Sequence, residues 1–359
     1  MTELEIIGLM SGTSLDGLDI AHVQFRNYSN HSEFKLLNYK TFNYDSEFKN
    51  ELNSATNLSV VELLRLDKKI GKEFAEHVND FLNEFHIERK NIHSIASHGQ
   101  TILHQPENGF TLQIGCGATI AFHTKIPVIN DFRTMDVVAG GQGAPLVPVG
   151  DFDLFANQAN AFLNLGGFAN ISLKNEEKIV AFDICPANLP FNELVKNIGL
   201  NYDKDGEIAR KGLVNNDLLI KLNELGYYSK SAPKSLGTEW LVEYFYPILN
   251  SYNLTIEDKL ATVSEHLAHQ IANVISKNNL RKVLATGGGV NNSFLIERIQ
   301  SLTENALLFP EESVSDFKEA IIFAYLGALF LWGKPNCVSS VTGAKTNVIG
   351  GCLHKVAVQ

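Results

Sequence analysis

Twice in this chain a strand runs into a short turn of glycines and small polar residues, then back out as a second strand. The first copy reads Leu4–Met10, a Ser11-Gly12-Thr13-Ser14 turn and Asp19–Phe25; the second reads Ala161–Leu165, Gly166-Gly167 and Asn170–Lys174. A third strand is expected after each, near Phe34–Phe42 and at Lys178–Phe182. Strands in this order, followed by helices, call for sheets with helices packed on them, an α/β class. At 359 residues the chain exceeds what one hydrophobic core usually supports, so two domains are expected. The two halves share a pattern and no detectable residue repeat.

Between the copies, Ser59 and Glu62 form a Ser-x-x-Glu capping box. Behind it Leu63, Leu66, Ile70, Phe74, Val78, Phe81 and Phe85 recur at helical spacing. Short apolar strands are expected at Ile92–Ser97 and Ile126–Asn130. A later helix starts near Thr255, with Leu260, Val263, Leu267, Ile271 and Val274 on one face. Lys282–Thr286 reads as a buried strand, followed by Gly287-Gly288-Gly289 and a helix through Phe294–Ile299. The longest apolar run, Ala320–Trp332, is interrupted at Gly327 and reads as a buried helix. It falls short of the roughly 18 residues that span a bilayer.

A net charge of -10 argues against a nucleic-acid partner, because phosphate backbones are met by clustered Lys and Arg. Cys116, Cys185, Cys337 and Cys352 are far apart in sequence, which disfavours both a zinc site and a disulfide framework. The start, MTELEIIGLM, carries acidic residues where a signal peptide is basic. A soluble, cytoplasmic protein with no membrane partner is the expectation.

Chemistry concentrates at the turns. In Met10-Ser11-Gly12-Thr13-Ser14-Leu15-Asp16-Gly17-Leu18-Asp19, glycines allow successive backbone N–H groups to point one way and form an anion nest. Asp16 or Asp19 could hold the water shell of Mg²⁺. On Ser-Gly-Thr-Ser alone an ordinary hairpin is the better reading, and the turn matches neither a P-loop nor a dinucleotide fingerprint. The Gly166-Gly167 turn, with Asn170, sits at the same point of the second half. Two such turns facing one another across a cleft could clamp a polyphosphate, and Gly287–Gly289 would let a flat adenine or ribose lie against bare backbone. Three glycine turns in this order say far more than any one.

With these turns in hand, the chain resembles the anhydro-N-acetylmuramic acid kinase family. The Met-Ser-Gly-Thr-Ser-Leu-Asp-Gly opening carries the likeness, and Ser97-His98-Gly99-Gln100-Thr101, Asp131-Phe132-Arg133 and Ala139–Pro148 continue it. Tyr202–Gly206, Pro233-Lys234-Ser235, the Gly287 turn, Lys318-Glu319-Ala320 and Ser340–Ala344 follow in the family's order. The resemblance implies a duplicated ribonuclease H-like fold of the actin/Hsp70/sugar-kinase type with an inter-domain cleft. It implies domains of 1–130 plus 345–359 and of 131–344, and use of ATP and Mg²⁺. Gly12, Thr13, Ser14, Leu15, Asp16, Gly17, Leu18 and Asp19, together with Gly166, Gly167 and Asn170, would meet the phosphates. Gly287, Gly288 and Gly289 would meet the adenosine.

The resemblance also places the catalytic Asp at Asp183, which ends the Ala181-Phe182-Asp183 strand; a turn or helix cap would be the reading without it. Glu319 matches a second active-site carboxylate, against a solvated first-turn Glu. Arg133 would bind the lactyl carboxylate of a muramic acid, against a surface ion pair with Asp131. His98, Gln100 and Asn188 would line the sugar site, although a buried, hydrogen-bonded His98 is a fair alternative. A small anhydro amino sugar is the implied partner, and a homodimer rests on the resemblance alone. The chain departs from the family at Ile184-Cys185-Pro186-Ala187, where Thr-Gly-Pro-Gly is usual, and at Asp151, where His is common. The first departure is expected to change the wall of the sugar pocket and favours a rival reading, a kinase for levoglucosan or an ordinary hexose. A chaperone-type ATPase of the same fold is the more distant rival.

Overall fold

The computed structural model describes residues 3–12, 15–28, 32–175, 178–232 and 234–357. Thr13, Ser14 and Pro233, named above, lie outside the described residues. Contacts divide the chain into two units: Met1–Phe155 with Phe317–Gln359, and Ala156–Asp316.

In the first unit, β1 (Glu3–Ser11), β2 (Gly17–Asn27) and β3 (Ser32–Asn43) form an antiparallel meander. β4 (Ser94–Ser97) pairs parallel with β1, and β7 (Val128–Asn130) pairs parallel with β4. Between them β5 (Gln100–Gln105) and β6 (Phe110–Ile114) make a separate two-stranded ribbon that the sequence did not announce. Successive side chains of β1 point to opposite faces. Ile7 and Leu9 join the core that includes Ile70, Phe74, Val78 and Phe81 of α1 (Val60–Glu84). Gly8 on the opposite face meets the final long helix instead. The capping box at Ser59 and Glu62 forms as expected. A cap contributes about 1 kcal/mol and each buried large side chain about 1.5–3 kcal/mol. Packing therefore holds α1 in place, and the cap sets where it starts. Helix α2 (Val147–Leu154) belongs to the same unit.

The second unit repeats the plan. β8 (Ala161–Leu165), β9 (Phe168–Asn175) and β10 (Lys178–Pro186) form an antiparallel meander. Helices α3 (Asn188–Lys196) and α4 (Ile256–Lys277) follow. β11 (Val283–Thr286) lies parallel to β8, α5 (Ser293–Leu302) comes next, and β12 (Leu307–Leu308) lies parallel to β11. The sheet orders are β3-β2-β1-β4-β7 and β10-β9-β8-β11-β12, the first extended by β13 (Cys352–His354) on β7. A three-stranded meander followed by two parallel strands, made twice, repeats the strand order that the turns foreshadowed and is the duplicated ribonuclease H-like topology that the resemblance implied.

Two expectations change. The boundaries at 130 and 345 move to 155/156 and 316/317. The physical reason is α6 (Lys318–Leu331), which packs on β1, β2 and β4, and Asp136, whose carboxylate accepts the Thr342 hydroxyl at 2.6 Å. Nor does Gly327 break α6. The helix runs through it, and a Cβ there would lie 2.7 Å from that of Ala96, so the glycine lets helix and β4 approach. Among the described residues no helix is long and apolar enough to cross a membrane.

Candidate functional site

Asp183 is paired with Asn170 on β9, Asn170 with Asn164 on β8, and Asn164 with Thr286 on β11. Directly paired residues share a face of a sheet, so four polar side chains form a row across four strands. The expected position of Asp183 at a strand end is corrected: β10 continues to Pro186, with a register irregularity between Asp183 and Cys185. Such a bulge re-aims a side chain without ending the strand. The Asp183 backbone is fixed from outside the sheet: its N–H donates to the Lys234 carbonyl at 3.1 Å and its carbonyl accepts from the Tyr227 hydroxyl at 2.7 Å. Oδ2 accepts the Leu236 N–H at 2.8 Å. Burial pushes the carboxyl above the usual aspartate range, opposed by that N–H. The result is a half-buried carboxylate held by one oxygen, its basicity raised.

Ile184, Cys185 and Ala187 are 2%, 0% and 0% exposed and belong to the core of the second unit. None of residues 184–187 has positive φ; Ala187 has φ -128 and ψ -99. The side chains of Ile184, Cys185 and Ala187 add to the core of the second unit, and Ile184 also lines a cavity with Tyr228, Lys234 and Gln270.

At the same end of this sheet the turns gather. The Asn188 and Ala187 N–H groups donate to the Gly166 and Gly167 carbonyls at 3.1 and 2.9 Å, and Asn188 Nδ2 donates to the Leu165 carbonyl at 3.3 Å. Gly287 has φ +90, and a Cβ there would lie 2.5 Å from Asn164 Oδ1; one on Gly289 would lie 2.8 Å from that of Leu165. The fold itself thus requires glycine at both positions. Gly288 is different, since the nearest heavy atom to its Cβ position is Asn188 Nδ2 at 4.0 Å. Next to it Thr286 Oγ1 is buried without a hydrogen-bond partner. Bare backbone open to a ligand, beside an unsatisfied hydroxyl, fits a nucleotide. Asn188 was expected at the sugar; its side chain lies between the two glycine turns.

In the first unit, the Leu15 N–H donates to the Gly12 carbonyl at 3.2 Å, and Leu15 has φ +57. Leu15 and Leu18 send their side chains into the core, so each offers a ligand only its backbone. Gly17 opens β2 opposite Asn43. Asp16 is exposed, whereas Asp19 accepts the Thr41 hydroxyl at 2.6 Å. Ser11, at the base of the turn, donates to Gln100 Oε1 at 2.6 Å and lies 2.8 Å from the Tyr44 hydroxyl. Gln100 therefore supports the turn from β5.

His98 and Arg133 come together. Arg133 Nε and Nη2 donate to His98 Nε2 at 3.2 and 3.0 Å, and Nη1 donates to the Gly143 carbonyl at 2.7 Å. Burial and the Arg133 charge push the His98 imidazole down to about 3, so it is neutral and accepts at Nε2. Among the described residues no carboxylate lies within ion-pair distance of Arg133, Asp131 included. A fork held in place with no carboxylate bonded to it is what an anionic substituent needs; Glu319 acts on its charge from beyond ion-pair distance. Glu319, the second residue of α6, is exposed to solvent although dense protein surrounds it. Its carboxyl is raised by loss of hydration and drawn back by Lys318 and Arg133. Among the described residues no group of three or more His, Cys, Asp or Glu gathers to hold a metal ion.

Sequence reasoning missed Tyr44, Asn164, Thr286 and the clamp in which Asp136 takes the Gly143 N–H at 2.7 Å. Asn164 had a signal, being one polar residue in an otherwise apolar buried strand. Tyr44 and Thr286 had none, since the residues they meet, Ser11 and Asn164, lie far off in the chain; Asp136 and Gly143 are close in sequence, but no periodicity links them.

The sequence profile of the anhydro-N-acetylmuramic acid kinase family matches residues 4–355. An anhydro-N-acetylmuramic acid kinase of Francisella tularensis subsp. novicida (strain U112) is 37% identical over 372 residues, covering 97% of this chain and 98% of its own. One from Bacillus cereus (strain ZK / E33L) is 35% identical over 373 residues, covering 96% and 98%. Among solved structures, the ADPNP-bound activator of 2-hydroxyisocaproyl-CoA dehydratase from Clostridium difficile is 11% identical, covering 92% of this chain and 97% of its own, with a TM-score of 0.43. That likeness is too loose to add to the strand order. Matched along nearly all of its length by the family profile and by relatives of this kind, the chain belongs to the anhydro-N-acetylmuramic acid kinase family.

Proposed function

We propose that this chain opens the 1,6-anhydro bridge of 1,6-anhydro-N-acetylmuramic acid with water and phosphorylates O6, giving N-acetylmuramic acid 6-phosphate for peptidoglycan recycling. The observation that carries the reading is Asp183: a half-buried carboxylate with raised basicity, in a polar row beside the glycine turns, in a chain of this family.

Asp183 takes a proton from water. The water oxygen bonds to C1 as the C1–O6 bond breaks, and O6, released as a nucleophile, bonds to the γ-phosphorus of ATP while ADP leaves. No separate acid is needed, because O6 takes the phosphoryl group instead of a proton. The Leu236 N–H keeps one Asp183 oxygen occupied and so orients the other. Arg133, steadied by His98 and Gly143, is assigned to the lactyl carboxylate. In the second unit the Gly166-Gly167 turn and Asn170 are assigned to phosphate and Gly288 to the nucleoside. In the first, the backbone of the Gly12–Asp19 turn is assigned to phosphate. Mg²⁺ would supply charge neutralisation at the phosphates, and exposed Asp16 would hold its water shell. A cytoplasmic setting and a homodimer are part of the same proposal.

ADP release from ATP, measured with anhydro-N-acetylmuramic acid, levoglucosan, N-acetylmuramic acid and glucose, tests it. Turnover is expected with the first sugar well above the rest. Preference for levoglucosan or glucose would move the substrate to the rival reading, and sugar-independent turnover would end the kinase reading.

A further inference from the structure

We infer that Asp151 is a positioning residue for Glu319, acting through a buried ion pair with Lys318 that fixes the first turn of α6. The inference rests on the reading that Glu319 serves the reaction.

Lys318 opens α6, where the helix dipole is positive and a cation is disfavoured, and no side chain caps this end. Lys318 and Asp151 side chains are only 7% and 3% exposed, with nitrogen and oxygen 3.0 Å apart. The contact is a close ion pair without well-aligned hydrogen-bond geometry, since Asp151 Oδ1 has no hydrogen-bond partner. A buried pair of this kind is commonly no more stabilising than apolar residues of the same size. Stability alone therefore gives little reason for it. What it does geometrically is clear from the neighbours. On one side of Glu319, Lys318 is tied to α2 through Asp151. On the other, the Ala320 carbonyl lies against the bare Cα of Gly8 on β1, where a Cβ would come within 1.9 Å of the oxygen. Both residues flanking Glu319 are thus fixed, from two different elements, while its own side chain stays open to solvent.

The same charges act on Glu319. Lys318 and Arg133 draw its carboxyl down; Asp19 of β2 and Asp151 of α2 push it up. The two halves of the pair should therefore move its titration in opposite directions. The experiment is the pH profile of kcat/KM with ATP and anhydro-N-acetylmuramic acid, on protein shown to be folded by near-UV circular dichroism; the limb read is the acid limb that Glu319→Gln removes, as distinct from the one Asp183 sets as general base. Asp151→Asn removes a negative neighbour and should move the acid limb to lower pH. Lys318→Met removes a positive one and should move it to higher pH, each by about 0.5 unit or more. The double variant should bring the limb back toward its original place. If Lys318→Met does not fold, Asp151→Asn against the double variant, which buries no charge, still decides. Shifts in one direction, or an unmoved limb with activity lost only as folded protein is lost, would show a merely structural pair. Glu319→Gln separates the premise: undiminished activity there removes Glu319 from the reaction, whereas reduced activity without opposed shifts overturns the positioning role alone.

Discussion

Asp183 shows how much of a side chain's chemistry comes from its neighbours. Its half-burial raises the carboxyl, and a single N–H from Leu236 restrains both its position and its titration. Asp183→Asn keeps the shape and that hydrogen bond but cannot take a proton. We expect a loss of at least ~10²-fold in kcat, the usual scale for a general base, with ATP affinity nearly unchanged. Turnover and nucleotide titration on the same preparation check it, and near-normal turnover would take Asp183 out of the mechanism. The residue was legible as a candidate from its motif. Its support was not, because Lys234 and Leu236 lie some fifty residues on and no local pattern links them to β10.

At the scale of elements, the Gly287–Gly289 turn separates glycines the fold requires from one the ligand does. A methyl on Gly289 would press on Leu165, so Gly289→Ala should cost about 1–3 kcal/mol of stability through overpacking. Gly288→Ala meets open space, so stability should stay within about 0.5 kcal/mol. Nucleotide affinity should nevertheless fall roughly tenfold, which corresponds to about 1.4 kcal/mol. Thermal unfolding and nucleotide titration of both variants decide it. Unchanged affinity in folded Gly288→Ala would remove this turn from the nucleotide site. In sequence the three glycines look alike; only the partners packed behind them tell them apart.

For the whole molecule, bond cleavage at C1 and phosphoryl transfer to O6 are one event, and the fate of water's oxygen reports it. In ¹⁸O-labelled water the label should appear at the anomeric carbon, with none in the C6–O–P bridge or the transferred phosphoryl group. Attack opposite the bridge should give the inverted anomer first, before mutarotation. Early-time NMR and mass spectrometry of the product read both. Label confined to free phosphate would mean ATP hydrolysis without sugar chemistry.

Local pattern was enough for most elements. Strand alternation, the Ser59 cap, helical spacing in α1 and α4, and the glycine turns each depend on residues a few positions apart, and the doubled meander follows from them. The family's motifs added the candidate carboxylates and Arg133. Tertiary structure alone decided the rest, because it depends on contacts between residues far apart in the chain. Gly327 reads as a break until β4 is seen packed against it. The stretch from 317 to 344 joins the first unit only because α6 lies on β1, β2 and β4. That Ile184 and Cys185 are buried in the core of the second unit is likewise visible only in the fold. Asp151 looked like a lost histidine, and Lys318, 167 positions on in the chain, makes it one half of a buried charge pair. Propensity and spacing carry short-range information; burial, charge pairing and close approach are properties of the packed chain.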